Sequence, residues 1–460
     1  MSVWMPDIAG RGGPIYLAVV DAMAAAIAEG ALRPGDRLPT HRALAEALGV
    51  DLTTITRAYA EARRRGLLEA TVGRGTFVRS AAPLSRPQEA GPVDLAMNLP
   101  PVPADLRGRL QRDFARVIGQ ADPSTLLTYR SGAGTLEERA AGAAWVRPSL
   151  GEVDPARLVL SPGAQPALLA TLGLLAEPGE LILADQLTYP GLRSAAGQRG
   201  LRLLGLPSDE HGLDPEALAA ACRDHRPKAL YCVPTMHNPA AITMPVERRQ
   251  AIASILREQG LMLIEDDAYG LLPTDPIPAL AHFVPERALH IATLSKVLSP
   301  ALRLAYVTAP DVAMAGRIAT ALRANVLMAS PLLTGLVTSW HEDGTSGAIL
   351  GSIRAEATAR QSLARGILPA SLVQAHPEGL HLWLRLPAPW DRRDFIAHLR
   401  RERGLAVVPS DAFSVGPAPA PEAVRLALGA APTREALRHA LHSIAAALQG
   451  VAPLSYSEIV

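Results

Sequence analysis

The stretch Leu261-Met-Leu-Ile-Glu-Asp-Asp-Ala-Tyr269 carries the strongest fold signal in the chain. An apolar run of single-strand length leads directly into acidic residues, as expected of a strand buried on both faces that ends at a polar edge. Similar apolar runs occupy residues 158–160, 181–184, 229–233, 290–293 and 304–307, and helical stretches such as 166–176 and 246–259 separate them. This alternation predicts an α/β fold built on a mostly parallel sheet.

The two ends of the chain differ from this central part. Residues 1–79 show short helix patterns followed by a glycine-punctuated hairpin, and residues 80–93 are rich in Pro and Ala without periodicity, as in a linker. Residues 94–460 are expected to form one domain. Its large part would span about 150–340, and a smaller α+β part would combine about 94–149 with 341–460.

Composition narrows the classes of function. A net charge of +1 on 460 residues predicts no general attraction to nucleic acid, so DNA binding would need a local patch. Cys222 and Cys232 have no metal-type spacing, which argues against a disulfide scaffold or a metal site. Neither a secretory signal nor an apolar run of bilayer length is evident, which predicts a soluble, cytoplasmic protein without a membrane partner.

Lysine is nearly absent from the chain. Of its 45 basic residues only Lys228 and Lys296 are lysines, and the rest are arginines. An arginine carries charge, but its guanidinium does not deprotonate and cannot act as an amine nucleophile. Lys228 opens an apolar strand and is interpreted as a chance survivor. Lys296 follows a strand in Thr293-Leu-Ser-Lys-Val-Leu-Ser-Pro-Ala-Leu-Arg303, where hydroxyls and a guanidinium suit a phosphate; an exposed loop lysine is the alternative.

Four kinds of group serve pyridoxal phosphate (PLP) in proteins: an amine, an anion opposite the pyridine nitrogen, a phosphate cradle and a flat partner for the ring. Lys296 is the candidate amine, and Asp266, at the carboxyl end of its strand, is the candidate anion. Ser161-Pro-Gly-Ala-Gln165 joins a strand to a helix, and Gly163 there lets backbone amides approach a phosphate. Tyr189 is the candidate for the ring face.

Further polar side chains complete this constellation. Asn238, in Pro234-Thr-Met-His-Asn-Pro239, and Tyr269 are candidates for the phenolic oxygen of the ring, while Thr293 and Ser295 supply hydroxyls beside Lys296. Each signal is weak alone, because acids after strands are often helix caps and glycine turns are common. Together they predict a PLP site.

The N-terminal region predicts a winged helix-turn-helix. Thr40 caps a short helix that Gly49 closes, Asp51 caps the next helix, and Gly73-Arg-Gly75 forms a hairpin tip. Such proteins place the start of the second helix in the major groove of double-stranded DNA. The residues expected at the DNA are Thr40, His41, Arg42, Thr53, Thr54, Arg57, Arg74 and Gly75. A small protein-interaction domain is the alternative.

This N-terminal order of motifs resembles a known family. Leu32-Arg-Pro-Gly-Asp-Arg-Leu-Pro39, then Leu48-Gly-Val50, Thr56-Arg-Ala-Tyr59 and Gly73-Arg-Gly-Thr-Phe-Val78, are similar to the GntR-type winged helix along its whole length. Many such domains carry an arginine where this chain has Leu52, so the base preference of relatives is not carried over.

From about Asp94 to Leu448 the chain resembles fold type I PLP enzymes of the class I/II aminotransferase family. The resemblance implies Lys296 as the Schiff-base lysine, Asp266 as the partner of the pyridine nitrogen, and Arg425 as the partner of a substrate carboxylate. It further implies Asn238 and Tyr269 on the ring oxygen, Ala164, Gln165, Thr293 and Arg303 on the phosphate, and Tyr129 contributed by the other subunit of a dimer. Ala240-Ala241 stand where aminotransferases often have Thr-Gly.

A GntR-type winged helix joined to an aminotransferase-like domain is the MocR architecture. The resemblance implies a PLP-dependent transcription regulator, a homodimer with or without domain exchange. It would sense an amine or amino acid, or PLP itself, at the Lys296 Schiff base and thereby alter binding to an operator. A catalytically active aminotransferase with an accessory N-terminal domain is the alternative, and a fold that has lost PLP is a third interpretation.

Overall fold

The computed structural model describes residues 4–6, 14–33, 35–71, 75–79, 93–103, 106–130, 132–416 and 418–450. Contacts between residues divide the chain into two compact units, Met1–Gly91 and Pro92–Val460. Each unit has a hydrophobic core of its own. In these described ranges no helix is both long and apolar enough to cross a membrane.

The first unit is a winged helix-turn-helix. Its elements are α1 (Ile15–Ala28), α2 (His41–Leu48), α3 (Leu52–Arg64), β1 (Leu68–Thr71) and β2 (Gly75–Val78). The side chain of Thr40 accepts a hydrogen bond from the amide of Ala43 (3.2 Å), and Asp51 accepts one from Thr53 (2.7 Å), so both predicted N-caps are formed. Gly49 takes the left-handed conformation (φ 62°) that closes α2 and lets the chain turn into α3.

The second unit is the predicted α/β body. Its strands are β3 (Val93–Asp94), β4 (Leu158–Ser161), β5 (Leu181–Asp185), β6 (Arg202–Leu206), β7 (Ser208–Asp209), β8 (Gly212–Leu213), β9 (Ala229–Cys232), β10 (Met262–Asp267), β11 (Ala288–Thr293), β12 (Ala305–Thr308), β13 (Val373–Ala375), β14 (His381–Arg385), β15 (Leu405–Ala406), β16 (Val408–Pro409) and β17 (Ala423–Ala427). Its helices are α4 (Leu106–Gln120), α5 (Pro123–Leu126), α6 (Leu136–Leu150), α7 (Ala164–Leu175), α8 (Pro190–Gln198), α9 (Pro215–His225), α10 (Val246–Glu258), α11 (Leu280–Phe283), α12 (Val312–Val326), α13 (Pro331–Glu342), α14 (Thr345–Ile367), α15 (Arg392–Arg403) and α16 (Arg434–Gln449).

A seven-stranded sheet in the order β4-β12-β11-β10-β9-β5-β6 forms the centre of this unit. Only β12 runs antiparallel to its neighbours, which confirms the predicted mostly parallel sheet. Neighbouring residues of one strand enter cores on opposite faces: Leu263 packs with α9 and α10, whereas Ile264 packs with α7 and α12. Burial on both faces explains why these strands are continuous apolar runs.

A smaller antiparallel sheet, β13-β14-β17-β16, forms the second core with α14, α15 and α16. The sequence assigned residues 94–149 to this smaller part, and the structure differs for most of them. Leu95 does join the small core, but Leu106, Ala143 and Val146 pack into the core of the large sheet. The amphipathic pattern of α4 shows that this helix buries one face, but it does not show against which sheet.

Candidate functional site

A cavity of about 460 Å³ lies at the sheet edge where β4, β10 and β11 end. Among the residues predicted from the sequence, it is lined by Ala164, Gln165, Tyr189, Asn238, Asp266, Tyr269, Thr293, Ser295, Lys296, Arg303 and Arg425. The structure therefore brings together residues that lie up to 261 positions apart in the sequence, as from Ala164 to Arg425. Ligands of parallel α/β sheets bind at this edge because the strand ends and helix starts converge there.

Lys296 sits just after β11 with its amine turned into the cavity. Its Nζ donates a hydrogen bond to the main-chain oxygen of Asn98. Burial, together with the positive charge of Arg425, lowers the pKa of this amine to about 8, although Asp266 opposes the shift. A larger share of the amine is therefore neutral at physiological pH than for an exposed lysine, and only the neutral amine is nucleophilic.

Asp266 occupies the buried carboxyl end of β10. Its Oδ2 accepts a hydrogen bond from Tyr231 (2.7 Å), whereas its Oδ1 has no hydrogen-bond partner among the described residues. Burial raises the pKa of Asp266 to about 6, against the opposing effect of the Tyr231 hydroxyl. An unpartnered buried carboxylate oxygen is costly, so the geometry favours a ligand that brings an N–H donor or a positive charge.

The two neighbouring acids have structural roles. Glu265 accepts hydrogen bonds from the amides of Leu280 (3.0 Å) and Ala281 (2.6 Å), and thereby holds the start of α11. Asp267 lies 2.9 Å from His290 Nε2. Because β-strand residues alternate between faces, Asp266 alone of the three lines the cavity.

The turn from β4 into α7 fits a phosphate. Gly163 precedes the helix with a φ of +105°, and a Cβ added there would come within 2.8 Å of Arg303 Nη2. The close approach of backbone and guanidinium therefore requires glycine. The free amides at the start of α7, the guanidinium of Arg303 and the hydroxyls of Thr293 and Ser295 form a donor set suited to an oxyanion.

Arg425 projects from β17 of the smaller sheet into the same cavity. It donates from Nη1 to Asn238 Oδ1 (2.8 Å) and from Nη2 to the oxygen of Ala96 (2.5 Å), and its guanidinium lies 5.0 Å from the centre of the Phe413 ring. Its Nε has no hydrogen-bond partner in the described part of the chain. A buried guanidinium with spare donor capacity is chemically suited to bind a carboxylate.

Two predicted tyrosines lie at different places. Tyr189 lines the cavity, and a Cβ on Gly191 would come within 2.1 Å of the Tyr189 ring, so Gly191 makes the room for this ring position. Tyr129 is 77% exposed and does not line the cavity of its own chain. It lies in the same stretch as the exposed apolar residues Leu127 and Leu136.

A buried hydrogen-bond network beside the cavity was not predicted from the sequence. Asn98 Nδ2 donates to the hydroxyl of Tyr269 (2.8 Å) and lies 3.1 Å from His381 Nδ1. Tyr231, which holds Asp266, was also missed. Its only signal was a polar hydroxyl in an otherwise apolar strand, whereas Asn98 and His381 had no local signal at all.

The winged-helix residues form the other candidate surface. Leu52 and Thr53 are exposed at the start of α3, Thr54 is half-buried, and Arg42 is exposed on α2. Arg57 is exposed but lies over the ring of Tyr16 (4.1 Å to its centre), which anchors α3 to α1.

His41 and Thr40 stand at the start of α2, where His41 packs edge-on against the ring of Tyr59 (4.4 Å between centres). Burial lowers the pKa of His41, so this residue is a weaker source of positive charge than the arginines. Gly75 begins β2 with a φ of +120° and lies beside the side chain of Arg37. Arg37 was not predicted from the sequence as a residue of this surface. Arg74 lies outside the described residues.

Comparison with known proteins agrees with this arrangement. Residues 92–444 match the family model of aminotransferase class I and II, and residues 15–78 match the bacterial regulatory proteins of the gntR family. The chain is 31% identical over 443 residues to the uncharacterized HTH-type transcriptional regulator YdeF of Bacillus subtilis, with 95% of each covered. It is also 28% identical to the HTH-type transcriptional regulator TauR of Rhodobacter capsulatus, and this match covers 86% of this chain and 92% of TauR.

The chain belongs to the MocR-type transcription regulators. The second unit of this MocR-type chain has the aminotransferase fold. The chain superposes with a TM-score of 0.69, at 24% identity, on the α-aminoadipate aminotransferase LysN of Thermus thermophilus, and the match covers 85% of this chain and 98% of LysN. That structure is a complex with N-(5'-phosphopyridoxyl)-L-leucine. A TM-score of 0.71 relates the chain to an archaeal alanine:glyoxylate aminotransferase at 23% identity.

The family implies PLP dependence, and the residues of this MocR-type chain fit that cofactor. The buried amine of Lys296, the unpartnered Oδ1 of Asp266 and the glycine-dependent cradle at Gly163 each match one part of the molecule. In the described ranges no group of three or more His, Cys, Asp and Glu residues is arranged to hold a metal ion.

Proposed function

We propose that this MocR-type regulator binds PLP through Lys296 and that an amino compound, or PLP itself, changes its affinity for an operator. The observation that carries the proposal is the single cavity in which Lys296, Asp266 and the Gly163 turn converge. When bound, PLP supplies an aldehyde that condenses with amines and an electron-withdrawing ring.

Each group of cavity residues is proposed to bind a different part of PLP. Lys296 provides an amine whose lowered pKa favours the neutral form, and Asp266 provides an anion opposite the ring nitrogen. Ala164, Gln165, Thr293, Ser295 and Arg303 would hold the phosphate, Asn238 and Tyr269 the ring oxygen, and Tyr189 the ring face. The amide Nδ2 of Asn238 is left for the ring oxygen, since its Oδ1 is engaged by Arg425.

Arg425 is the proposed partner of an effector carboxylate. It belongs to the smaller sheet, whereas Lys296 and Asp266 belong to the large one, so one amino acid would contact both parts of the domain. A ligand shifts a conformational equilibrium only if it binds one arrangement more tightly. An effector that contacts both sheets would shift the equilibrium by favouring one arrangement of the two parts. PLP alone would shift it if the PLP-free and PLP-bound forms favour different arrangements.

DNA contact is proposed for the exposed residues at the starts of α2 and α3. Thr53, Thr54 and Arg57 would face base edges, while the amides and side chains at Thr40–Arg42 would meet phosphate. Arg74 and Gly75 are proposed for the wing. Since Leu52 is 41% exposed beside Thr53, an apolar contact at this position would distinguish the operator from those of arginine-bearing relatives.

A homodimer, with or without domain exchange, is the proposed assembly. Leu127 (86% exposed), Tyr129 (77%) and Leu136 (66%) form a run of exposed large side chains that burial against a second copy would remove from water. Tyr129 would then reach the phosphate of the partner site. Two winged helices in one dimer would read two half-sites.

Mobility shifts with the DNA upstream of the gene test the proposal, with purified protein loaded with PLP or free of it. We expect retarded complexes whose affinity changes when PLP or an amino acid is added, and Lys296→Ala should abolish both the visible absorbance of bound PLP and the response. Arg42→Ala should reduce the salt dependence of binding by about one phosphate contact. Arg64→Ala, at the far end of α3, is the matched control and should not.

An active aminotransferase is the second candidate, because the cavity holds the amine, the anion, the phosphate cradle and the carboxylate partner together. Turnover with an amino acid and 2-oxoglutarate distinguishes the two. Rapid multiple turnover without DNA binding would favour the enzyme, whereas DNA binding with a single spectral change per site favours the regulator.

A further inference from the structure

A second cavity, of about 340 Å³, lies beside the PLP cavity at the carboxyl ends of β5 and β9. We call it the Asp185 pocket. Most of its wall is apolar and includes Leu213, Ile242, Met244 and Pro421. Cavities that hold small molecules begin at about 300 Å³ and combine apolar walls with a few polar groups, so this volume suits a compact ligand.

The pocket contains one buried polar pair. The side chains of Asp185 and His237 are only 5% and 10% exposed, and His237 Nε2 lies 3.7 Å from Asp185 Oδ2. That distance is too long for a hydrogen bond, and neither atom has another hydrogen-bond partner among the described residues. Unpartnered buried polar atoms are destabilising, so the pair is suited to a ligand that joins the two atoms.

The surrounding hydrogen bonds fix what each atom can do. Ser208 donates to Asp185 Oδ1 (2.8 Å), which leaves Oδ2 as a free acceptor. The amide of Ala240 donates to His237 Nδ1 (3.4 Å), so in the neutral imidazole the proton resides on Nε2, which is a donor. Burial lowers the pKa of His237, although Asp185 and the Leu187 backbone oppose the shift, and the neutral ring is therefore favoured.

A donor and an acceptor that face each other select a ligand group that can both accept and donate. A hydroxyl does so, whereas an ammonium cannot accept from His237 and a carboxylate cannot donate to Asp185. We propose that the Asp185 pocket binds a compact apolar alcohol or phenol, whose oxygen accepts from His237 Nε2 and whose O–H is donated to Asp185 Oδ2.

The Asp185 pocket adjoins Ala240-Ala241, the two residues that stand where aminotransferases often have Thr-Gly. Both residues are buried, Ala240 lines the pocket, and Ala241 adopts a left-handed φ of 58°. The short loop is closed by hydrogen bonds from Ala241 N to His237 O (2.6 Å) and from His237 N to Ile242 O (2.7 Å). The loop therefore presents the imidazole and leaves the space beside it open, because Ala240 is small.

Calorimetric titration of the full-length protein with 2-naphthol tests the proposal. We expect saturable binding that weakens about tenfold or more in Asp185→Asn, because the new amide donates where the carboxylate accepted. The methyl ether 2-methoxynaphthalene has no O–H to donate and should lose a similar factor against the unchanged protein. Absence of saturable 2-naphthol binding, or equal binding of the phenol and its ether, overturns the proposal.

Two further variants locate the bound molecule. Ala240→Phe should fill the pocket and abolish binding, and it decides the matter if Asp185→Asn proves unfolded. Lys296→Ala should bind 2-naphthol as the unchanged protein does, which makes this result independent of the proposed PLP function. Loss of binding in Lys296→Ala with retention in Ala240→Phe would place the phenol in the PLP cavity and contradict the assignment.

Discussion

Burial acts in opposite directions on the two titratable groups that matter most at the residue scale. It lowers the pKa of the Lys296 amine to about 8 and raises that of the Asp266 carboxyl to about 6. Both values lie close to neutral pH because removal from water disfavours the charged form of each group. The two groups also stabilise each other's charge, so each opposes the other's shift.

The first prediction concerns the rate at which PLP-free protein takes up PLP. Since only the neutral amine reacts, the rate should rise with pH to a plateau with a midpoint of about 8, rather than near the value of 10.5 for an exposed lysine. Stopped-flow absorbance measures it. Arg425→Gln removes a positive neighbour and should move the midpoint upward, whereas a rate that still climbs steeply well above the predicted midpoint contradicts the prediction.

The second prediction concerns acid stability. Burial lowers the pKa of His341 to about 3, from 6.5 for an unperturbed histidine, and its ring stacks on Trp145 (4.5 Å between centres). Below pH 6.5 the unfolded chain therefore binds a proton that the folded protein excludes, and the unfolding free energy should fall as the pH falls. One such histidine contributes about 1.4 kcal/mol per pH unit.

Urea unfolding on either side of that pH measures this slope. His341→Phe keeps the stacking, loses the hydrogen bonds to Tyr306 and Ser346, and should be less stable at neutral pH but less sensitive to acid. His381 has a similarly lowered pKa of about 3, so part of the slope should remain. An unchanged slope in His341→Phe would show that this residue is not the source.

Local sequence patterns pointed to part of the cavity lining and missed the residues that reach the cavity only through tertiary contacts. Asp266 lies at the carboxyl end of β10 and Lys296 follows β11, and both line the cavity. Asn98 and His381 are 283 positions apart in the chain but 3.1 Å apart in the structure. No periodicity or motif links such a pair, because the fold alone creates their contact.

At the scale of elements, close helix–sheet contacts depend on single glycines. Gly142 lies on the buried side of α6, and a Cβ there would come within 2.6 Å of the Tyr306 ring on β12. Tyr306 is itself fully buried, and its hydroxyl is hydrogen-bonded to His341 Nε2 (3.0 Å), so the ring has little room to move. The helix can approach the sheet only because this side chain is missing.

The third prediction follows from that contact. Gly142→Ala should destabilise the protein by about 1–3 kcal/mol, as overpacking of a core does. Gly351→Ala in α14 is the matched control, because its Cβ would meet nothing within 4 Å, and it should stabilise by about 0.5–1 kcal/mol. Thermal and denaturant unfolding measure both, and equal effects of the two substitutions would contradict the packing argument.

The one strand of the large sheet that the sequence analysis missed has a weak burial pattern. β6 forms one edge of the large sheet, and of its residues only Leu206 is fully buried, with Arg202 exposed. Its mixed composition did not stand out from a loop. The other six strands of the large sheet were predicted to within about two residues, because most of them are continuous apolar runs.

At the scale of the whole molecule, two compact units that each bury apolar residues of their own imply two separate stabilities. The winged-helix core contains Val19, Leu44 and Ile55, and the large-sheet core contains residues such as Leu172 and Ile291. Every group proposed to hold PLP belongs to the second unit. PLP bound by these groups would therefore stabilise the second unit directly.

The fourth prediction is that calorimetry resolves two unfolding transitions and that PLP raises only the larger one. At a free PLP concentration of about 100 times its dissociation constant, the gain should be about 2.7 kcal/mol. Lys296→Ala should lose most of this shift while leaving the smaller transition in place. A single transition that PLP shifts as a whole would instead show that the two units unfold together.

The contrast between the two lysines has a practical consequence for labelling. Lys228 is 46% exposed and pairs with Glu180 at the surface (2.8 Å), whereas Lys296 is enclosed in the cavity. A bulky amine-reactive dye should therefore attach to one side chain only, at the entry to β9. Once the α-amino group of the chain is blocked, the protein thus offers a defined fluorescent reporter position without engineered cysteines, and occupancy of position 296 can be read separately by borohydride reduction.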